Sequence, residues 1–243
     1  MNVYHTPQYQ QFRRENSFVF SEECRSGLPG KTEPLLEGYS VRTDCYVGHL
    51  QYQIRAARHS LLDSGGQVVY TWDNLDDDGE FYRLIPHANG RHYLIFREDL
   101  YGYSVLELET GETAHYVPEQ SWPLDGGQAQ ETFIWTGAAY DPKSNLLAVW
   151  GCYWACPNSM VFLDFSDPLM EQDCGCWVEM HEVVDPDYDL YDDIEMENWN
   201  VRGWTRFRCT SATGNIGWQE LLVPQEKIVD AVREKKLRSK ERG

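Results

Sequence analysis

The chain has 243 residues, of which 42% are hydrophobic and 14% aromatic, enough to close a sizeable core in one large or two small domains. Its formal net charge of −18 argues against a nucleic-acid partner and against an anionic membrane, because both attract positive surfaces. No run of ~18 apolar residues occurs and the opening residues lack the apolar core of a signal peptide, so we expect a cytoplasmic protein with no membrane partner.

Short hydrophobic runs separated by turn-forming residues fill the middle of the chain. This pattern predicts a β-meander rather than alternating strands and helices. The predicted strands are residues 67–72, 81–85, 93–97, 104–109, 113–117, 132–136, 146–151, 160–165, 176–181, 205–209 and 217–222. The expected fold class is therefore all-β: an antiparallel β-meander, propeller-like or a curved multi-sheet, with one C-terminal α-helix.

Two stretches of the chain are similar to each other: residues 87–112, "HANGRHYLIFREDLYGYSVLELETGE", and residues 140–168, "YDPKSNLLAVWGCYWACPNSMVFLDFSDP". In both, a polar turn leads into an apolar strand, and a short connection leads into a second strand. This resembles the blades of β-propellers of the WD40 or TolB type, which implies repeated small antiparallel sheets. We expect propeller-like units at about 63–118 and 131–183, within a single β domain of residues 1–223.

The end of the chain, residues 224–243, has a different period. Pro224 suits the start of a helix, and Ile228, Ala231 and Val232 form an apolar stripe at helical spacing. We expect a basic amphipathic helix over about 225–238, followed by a short tail. Because the rest of the chain is strongly acidic, the helix could lie against that acidic body.

Cysteine usage indicates reduced thiols, because seven cysteines in a long chain without a signal peptide do not form a typical disulfide framework. Four of them, Cys152, Cys156, Cys174 and Cys176, form two close pairs in "GCYWACP" and "CGC". Two such pairs on adjacent hairpins could hold zinc in tetrahedral geometry. The same spacings suit small buried residues or a redox couple within one pair. We expect packing and no cofactor, with zinc as the alternative.

The stretch "NLDDDG" at residues 74–79 opens like a calcium-binding loop, with Asn74, Asp76 and Asp78 at its first, third and fifth positions. The twelfth position of such a loop needs a bidentate Glu, and here it is Ile85. The pattern therefore predicts an acidic hairpin turn between two strands.

Between Lys143 and Arg202 the chain has no Lys or Arg, and most of the carboxylates of this interval lie in "DPDYDLYDDIEMEN". Such a run is commonly a solvated loop, but with interleaved aromatics it could also bind a divalent cation, imitate a nucleic-acid backbone or bind a basic protein. We predict a non-catalytic binding or interaction protein that uses this acidic, aromatic-rich surface, as an inhibitor or immunity protein would toward a basic protein. The candidate binding residues are Tyr153, Trp154, Asp187, Tyr188, Asp189, Tyr191, Asp192, Asp193 and Trp199.

A glycan-binding or glycan-hydrolysing domain is the alternative, because carboxylate pairs and tryptophans together build sugar sites. Nothing in the sequence fixes which carboxylates would act. The sequence also lacks the common motifs of hydrolases, metalloproteases and nucleotide-binding enzymes, so we assign no catalytic residue and lean away from an enzyme. Open sheet edges could additionally pair two copies of the chain.

Overall fold

The computed structural model describes residues 1–49, 53–75, 81–154, 156–171, 176–213 and 217–240. Within them the strands form four antiparallel sheets, and strands that follow one another in sequence are hydrogen-bonded neighbours in each sheet. The first sheet contains β1 (Lys31–Pro34), β2 (Ser40–His49), β3 (Gln53–Leu62) and β4 (Val68–Asn74), and the second contains β5 (Tyr82–Pro86), β6 (His92–Phe96), β7 (Tyr103–Glu107) and β8 (Thr113–Tyr116). The third contains β9 (Ile134–Asp141), β10 (Leu146–Cys152), β11 (Ser159–Asp164) and β12 (Val178–Glu179), and the fourth contains β13 (Tyr191–Val201), β14 (Trp204–Ser211) and β15 (Gln219–Pro224).

Consecutive sheets are joined by buried hydrophobic clusters. One cluster joins the first sheet to the second, the next joins the second to the third, and another joins the third to the fourth. Among the described residues, no such cluster joins the first sheet to the fourth. Small meander sheets packed one after another are the organisation of propeller blades. The expected all-β, antiparallel, propeller-like class is therefore confirmed, and the two similar stretches of sequence fall in the second and third of four sheets.

The second and third sheets are buried on both faces, which explains their continuous apolar strands. In β10, Leu147 and Val149 belong to the core shared with the second sheet, whereas Leu146 and Ala148 belong to the core shared with the fourth. Successive side chains of a strand point to opposite faces of the sheet. Because both faces are buried here, the residues at odd and at even positions must all be apolar.

The first sheet and β13 differ from the sequence-based prediction. Only β4 of the first sheet was expected as a strand, and the acidic residues of β13 were assigned to a surface run without a strand. Of the predicted strand at 176–181, only β12, Val178–Glu179, is a strand. There Glu179 and Glu182 form a reciprocal capping box, which starts helix α2 (Met180–Val184).

The expected C-terminal helix is present as α3 (Gln225–Lys240), with Ile228 and Val232 buried against the third and fourth sheets. A helix that was not expected, α1 (Pro7–Asn16), begins after Thr6, whose hydroxyl accepts the backbone N–H of Tyr9. The N-cap threonine and the proline at the first helical position were the signal for it in the sequence. None of the helices that the structure describes is long and apolar enough to cross a membrane.

Candidate binding surface and cleft

Tyr153 and Trp154 directly follow β10 and have different environments. The half-buried ring of Tyr153 lies edge-on to Phe133, with the ring centroids 5.5 Å apart, and its hydroxyl donates a hydrogen bond to Glu179 Oε1 at 2.5 Å. Trp154 is 60% exposed. Tyr153 therefore fastens this turn to the third sheet, while Trp154 faces solvent.

The acidic run begins with a loop, residues 185–190, that is organised by Asp185. Its carboxylate accepts the backbone N–H groups of Asp189, Leu190 and Tyr191 at 3.2, 2.9 and 3.0 Å. Burial opposes ionisation of Asp185, but these three donors outweigh it, so its pKa lies below the usual value. The loop consequently has a defined shape, in which the Asp187 and Asp189 side chains are exposed.

Tyr188 is the central aromatic residue of this loop. Its hydroxyl donates to Glu179 Oε2 at 3.2 Å, and its ring stacks on His181 with centroids 4.8 Å apart. Burial of the hydroxyl and the nearby charge of Glu179 raise the pKa of Tyr188 to about 12. Glu179 therefore joins the Tyr153 turn to the acidic loop, two segments that the sequence analysis had singled out separately.

The remaining candidates lie on β13. Asp192 is exposed. The Asp193 carboxylate accepts a hydrogen bond from the backbone N–H of Asn158, the residue before β11, at 2.8 Å. Tyr191 and Trp199 are half-buried against the core between the third and fourth sheets, and Trp199 stacks on Phe162 at 5.6 Å. Tyr191, Asp193 and Trp199 are thus held by structural contacts, as Tyr188 is.

We give the name acidic face to the exposed candidates Trp154, Asp187, Tyr188, Asp189 and Asp192, together with Leu190, which is also exposed. Among the described residues, none of its three aspartates takes part in an ion pair.

A cleft of about 220 Å³, which we call the Glu179 cleft, lies beside this surface. Its lining includes three aromatic residues and three glutamates: Phe133, Tyr153, Trp177, Glu131, Glu179 and Glu182. Of these, only Tyr153 is among the candidates that the sequence indicates. The others come from segments far apart in sequence, so no local motif marks them.

Helix α3 brings a cation into the Glu179 cleft. Lys235 Nζ lies 2.9 and 2.8 Å from the two carboxylate oxygens of Glu182, and Lys236 forms an ion pair with Asp164. The basic helix therefore lies against acidic side chains of α2 and β11, which was one of the arrangements expected from the sequence.

Two buried polar groups of the cleft lining have no hydrogen-bond partner among the described residues. They are Nε1 of Trp177, a residue that is 4% exposed, and the hydroxyl of Thr132, which is 7% exposed. Each of these two atoms has less than 1 Å² of accessible surface, so it lies behind the wall of the cleft and a ligand in the cleft does not reach it.

The cysteine site is only partly described. Cys152 and Cys176 are half-buried and Cys156 is exposed, while Cys174 lies outside the described residues. Asp76 and Asp78 of the predicted acidic turn also lie outside them, and the prediction of a hairpin there is wrong, because β4 and β5 belong to different sheets. In the part of the chain that the structure describes, no three His, Cys, Asp or Glu side chains are grouped as metal ligands. Zinc binding by the four cysteines stays a prediction.

A Ser–His–Glu cluster lies in the second sheet. Ser104 Oγ donates to Glu98 Oε2 at 2.7 Å, His115 Nδ1 lies 2.8 Å from the same oxygen, and Tyr4 stacks on His115 at 4.2 Å. Ser104 is buried and the imidazole is covered by Tyr4. The cluster therefore connects the N-terminal segment to the second sheet.

Comparison with known proteins gives no family for this chain. No family profile matches it, and no curated protein matches it. Two solved structures are similar at a low level. A GH43 endo-arabinanase from Bacillus licheniformis gives a TM-score of 0.34 at 11% identity, over 80% of this chain and 72% of that one. TolB from Acinetobacter baumannii gives a TM-score of 0.33 at 8% identity, over 82% of this chain and 44% of that one.

Proposed function

We propose that the protein is a non-catalytic binding protein that recognises a basic segment of another protein through the acidic face. The observation that carries this proposal is an exposed tyrosine between two exposed aspartates in one ordered loop: Tyr188 lies between Asp187 and Asp189. Asp192 follows on β13, and none of the three aspartates has an ion pair among the described residues.

The electrostatics of the acidic face favour a cationic partner. Uncompensated carboxylates attract positive charge over a distance of about 10 Å at moderate ionic strength and increase the rate of encounter. Rim charges of this kind affect association more than the final affinity, so binding should weaken steeply with salt.

The aromatic residues supply the contact area. Tyr188 is held by its hydrogen bond to Glu179 and by stacking on His181, so it loses little conformational freedom when a partner binds. Tyrosine and tryptophan are enriched in protein interfaces for this combination of area and rigidity.

The test measures binding of a fluorescent octapeptide of alternating lysine and glycine to the full chain. The variant Asp187→Asn/Asp189→Asn/Asp192→Asn should bind at least about tenfold more weakly at low salt, because three charge contacts are lost. Its matched control, Glu15→Gln/Glu23→Gln/Glu112→Gln, makes the same change in net charge at exposed positions elsewhere and should bind within about twofold of the parent.

Two outcomes would contradict the proposal. Equal weakening in both triple variants would show attraction to net charge alone. The second outcome concerns the glycan alternative, which a parallel titration with soluble saccharides tests. A change in tryptophan fluorescence on adding a saccharide, with no binding of the peptide, would favour a glycan-binding function instead.

A further inference from the structure

We propose that the Glu179 cleft binds a lysine side chain of the basic partner, and that Lys235 of α3 occupies this site when no partner is bound. This inference rests on the proposed function: the acidic face attracts the basic segment, and the cleft takes one of its side chains.

The cleft already holds an ammonium group. Lys235 Nζ contacts both carboxylate oxygens of Glu182, within hydrogen-bond distance of each. The lining nevertheless contains three glutamates, Glu131, Glu179 and Glu182, against this single cation. Negative charge therefore remains in excess in the cleft and attracts the ammonium of a partner lysine, which takes the place of Lys235 at Glu182.

The cleft is continuous with the acidic face through Glu179. Tyr153 lines the cleft and Tyr188 belongs to the face, and both hydroxyls donate to the same carboxylate. A peptide that lies over Tyr188 is therefore within one side-chain length of the cleft, and the long lysine side chain suits that reach.

Lys235 shows how the cleft takes an ammonium without the backbone that carries it. It lies within α3, where the carbonyls accept hydrogen bonds of the helix itself, so only its side chain enters the site. A lysine side chain of an extended partner segment can enter the cleft in the same way.

The test compares two charge-matched variants of the same helix. Lys235→Met empties the site, whereas Arg233→Met removes a cation that pairs with Asp230 on the exposed side of α3. The probe is N-acetyl-lysine N-methylamide, which carries one ammonium and two amide carbonyls, with the norleucine analogue as the uncharged control. Binding is followed by tryptophan fluorescence, because Trp177 lines the cleft.

We expect Lys235→Met to bind the lysine probe about fivefold more tightly than the parent, because an internal competitor has been removed. The affinity of Arg233→Met for the lysine probe should stay within about twofold of that of the parent. The norleucine probe should bind neither the parent nor the two variants. Adding Glu182→Gln to Lys235→Met should abolish the gain, and circular dichroism checks that each variant is folded.

The outcomes separate this inference from the proposed function. If the octapeptide binds through the acidic face but Lys235→Met and Arg233→Met behave alike toward the lysine probe, the cleft assignment is overturned and the proposed function stands. If the lysine probe binds Lys235→Met but the octapeptide does not depend on the aspartates, the cleft assignment holds and the proposed function fails. Binding of the norleucine analogue or of a saccharide in the emptied cleft would also overturn the inference.

Discussion

His59 lies between the first and second sheets, with 1% of its surface exposed. Its Nδ1 is 2.9 Å from the Thr43 hydroxyl, and its ring stacks on Trp72 with centroids 4.9 Å apart. Burial disfavours the charged imidazolium and lowers the pKa of His59 to about 4. The sequence showed only scattered single histidines, and nothing local in it distinguishes this one, because its burial depends on the packing of two sheets.

This buried histidine predicts a pH-dependent stability. The pKa of His59 is near 6.5 in the unfolded chain and about 4 in the folded chain. The unfolded chain therefore takes up a proton first as the pH falls. The stability that neutral His59 contributes is complete above about pH 6.5 and is lost as the pH falls toward 4. The loss amounts to about 3 kcal/mol of unfolding free energy. Urea unfolding of His59→Gln between pH 7 and 4.5 should show a correspondingly shallower pH dependence than the parent. Thr43→Val, which keeps the buried imidazole, should retain the parent slope; equal slopes in the parent and His59→Gln would contradict the assignment.

At the scale of elements, the β13–β14 hairpin has a turn whose residues only partly suit it. Val201 pairs with Trp204, so the loop consists of Arg202 and Gly203, with φ of 55° and 83°. Both angles are positive, as in the type I′ turn that matches the twist of a hairpin, and Asn-Gly is its preferred sequence. Arginine at the first position therefore carries backbone strain.

Substitutions in this turn should change stability in opposite directions. Arg202→Asn should raise the unfolding free energy by about 0.5 to 1 kcal/mol, because asparagine tolerates the left-handed region. Gly203→Ala should lower it by about 1 kcal/mol, and the space around its Cβ is open, so the cost comes from the backbone angle alone. Urea unfolding of both variants, with Arg202→Ala as the control that should gain nothing, measures these effects. A stabilised Gly203→Ala would rule out the turn type.

How well each strand could be predicted from the sequence depends on whether its buried positions are apolar or carry charges that pair with other strands. The strands of the second and third sheets were found because two buried faces require continuous apolar runs. In the first sheet β1, β2 and β3 were missed, because β2 and β3 carry charges at buried or half-buried positions: Asp44 pairs with Arg25 and Arg42, and Arg58 pairs with Asp73 on the neighbouring strand. Such charges favour a loop when each strand is considered alone, and only the strand register reveals their partners.

The same limit applies to the candidate site. Tyr153 and Tyr188 could be selected from local composition, because aromatics beside turns and acids stand out in a sequence. That both reach Glu179 requires the packing of the third sheet, and the contact of Lys235 with Glu182 requires the docking of α3. The cleft is therefore a property of the assembled fold and not of any segment.

At the scale of the whole molecule, the N-terminal segment connects the first two sheets through Arg13. The guanidinium donates to the backbone carbonyls of Asp73 and Glu98, both at 2.9 Å, and pairs with the Asp99 carboxylate at 3.1 Å. Arg13 and Asp99 are 15% and 16% exposed, so this pair is largely shielded from water. Asp73 belongs to β4 of the first sheet, whereas Glu98 and Asp99 follow β6 of the second. One side chain of α1 thus adds a polar link between two sheets that a hydrophobic cluster also joins.

Arg13→Met should therefore lower the unfolding free energy by about 3 kcal/mol, because it leaves a shielded carboxylate and two carbonyls without their partner. Arg13→Lys should recover only part of this loss, since an ammonium cannot match the planar guanidinium at several acceptors at once. Arg14→Met, the exposed neighbour on the same helix, removes the same charge and should cost less than about 0.5 kcal/mol. Urea unfolding gives the free energies, and hydrogen exchange locates the effect: amides of the first and second sheets should lose protection together. A loss of protection confined to α1 would mean that the helix is only attached to the sheets and does not link them.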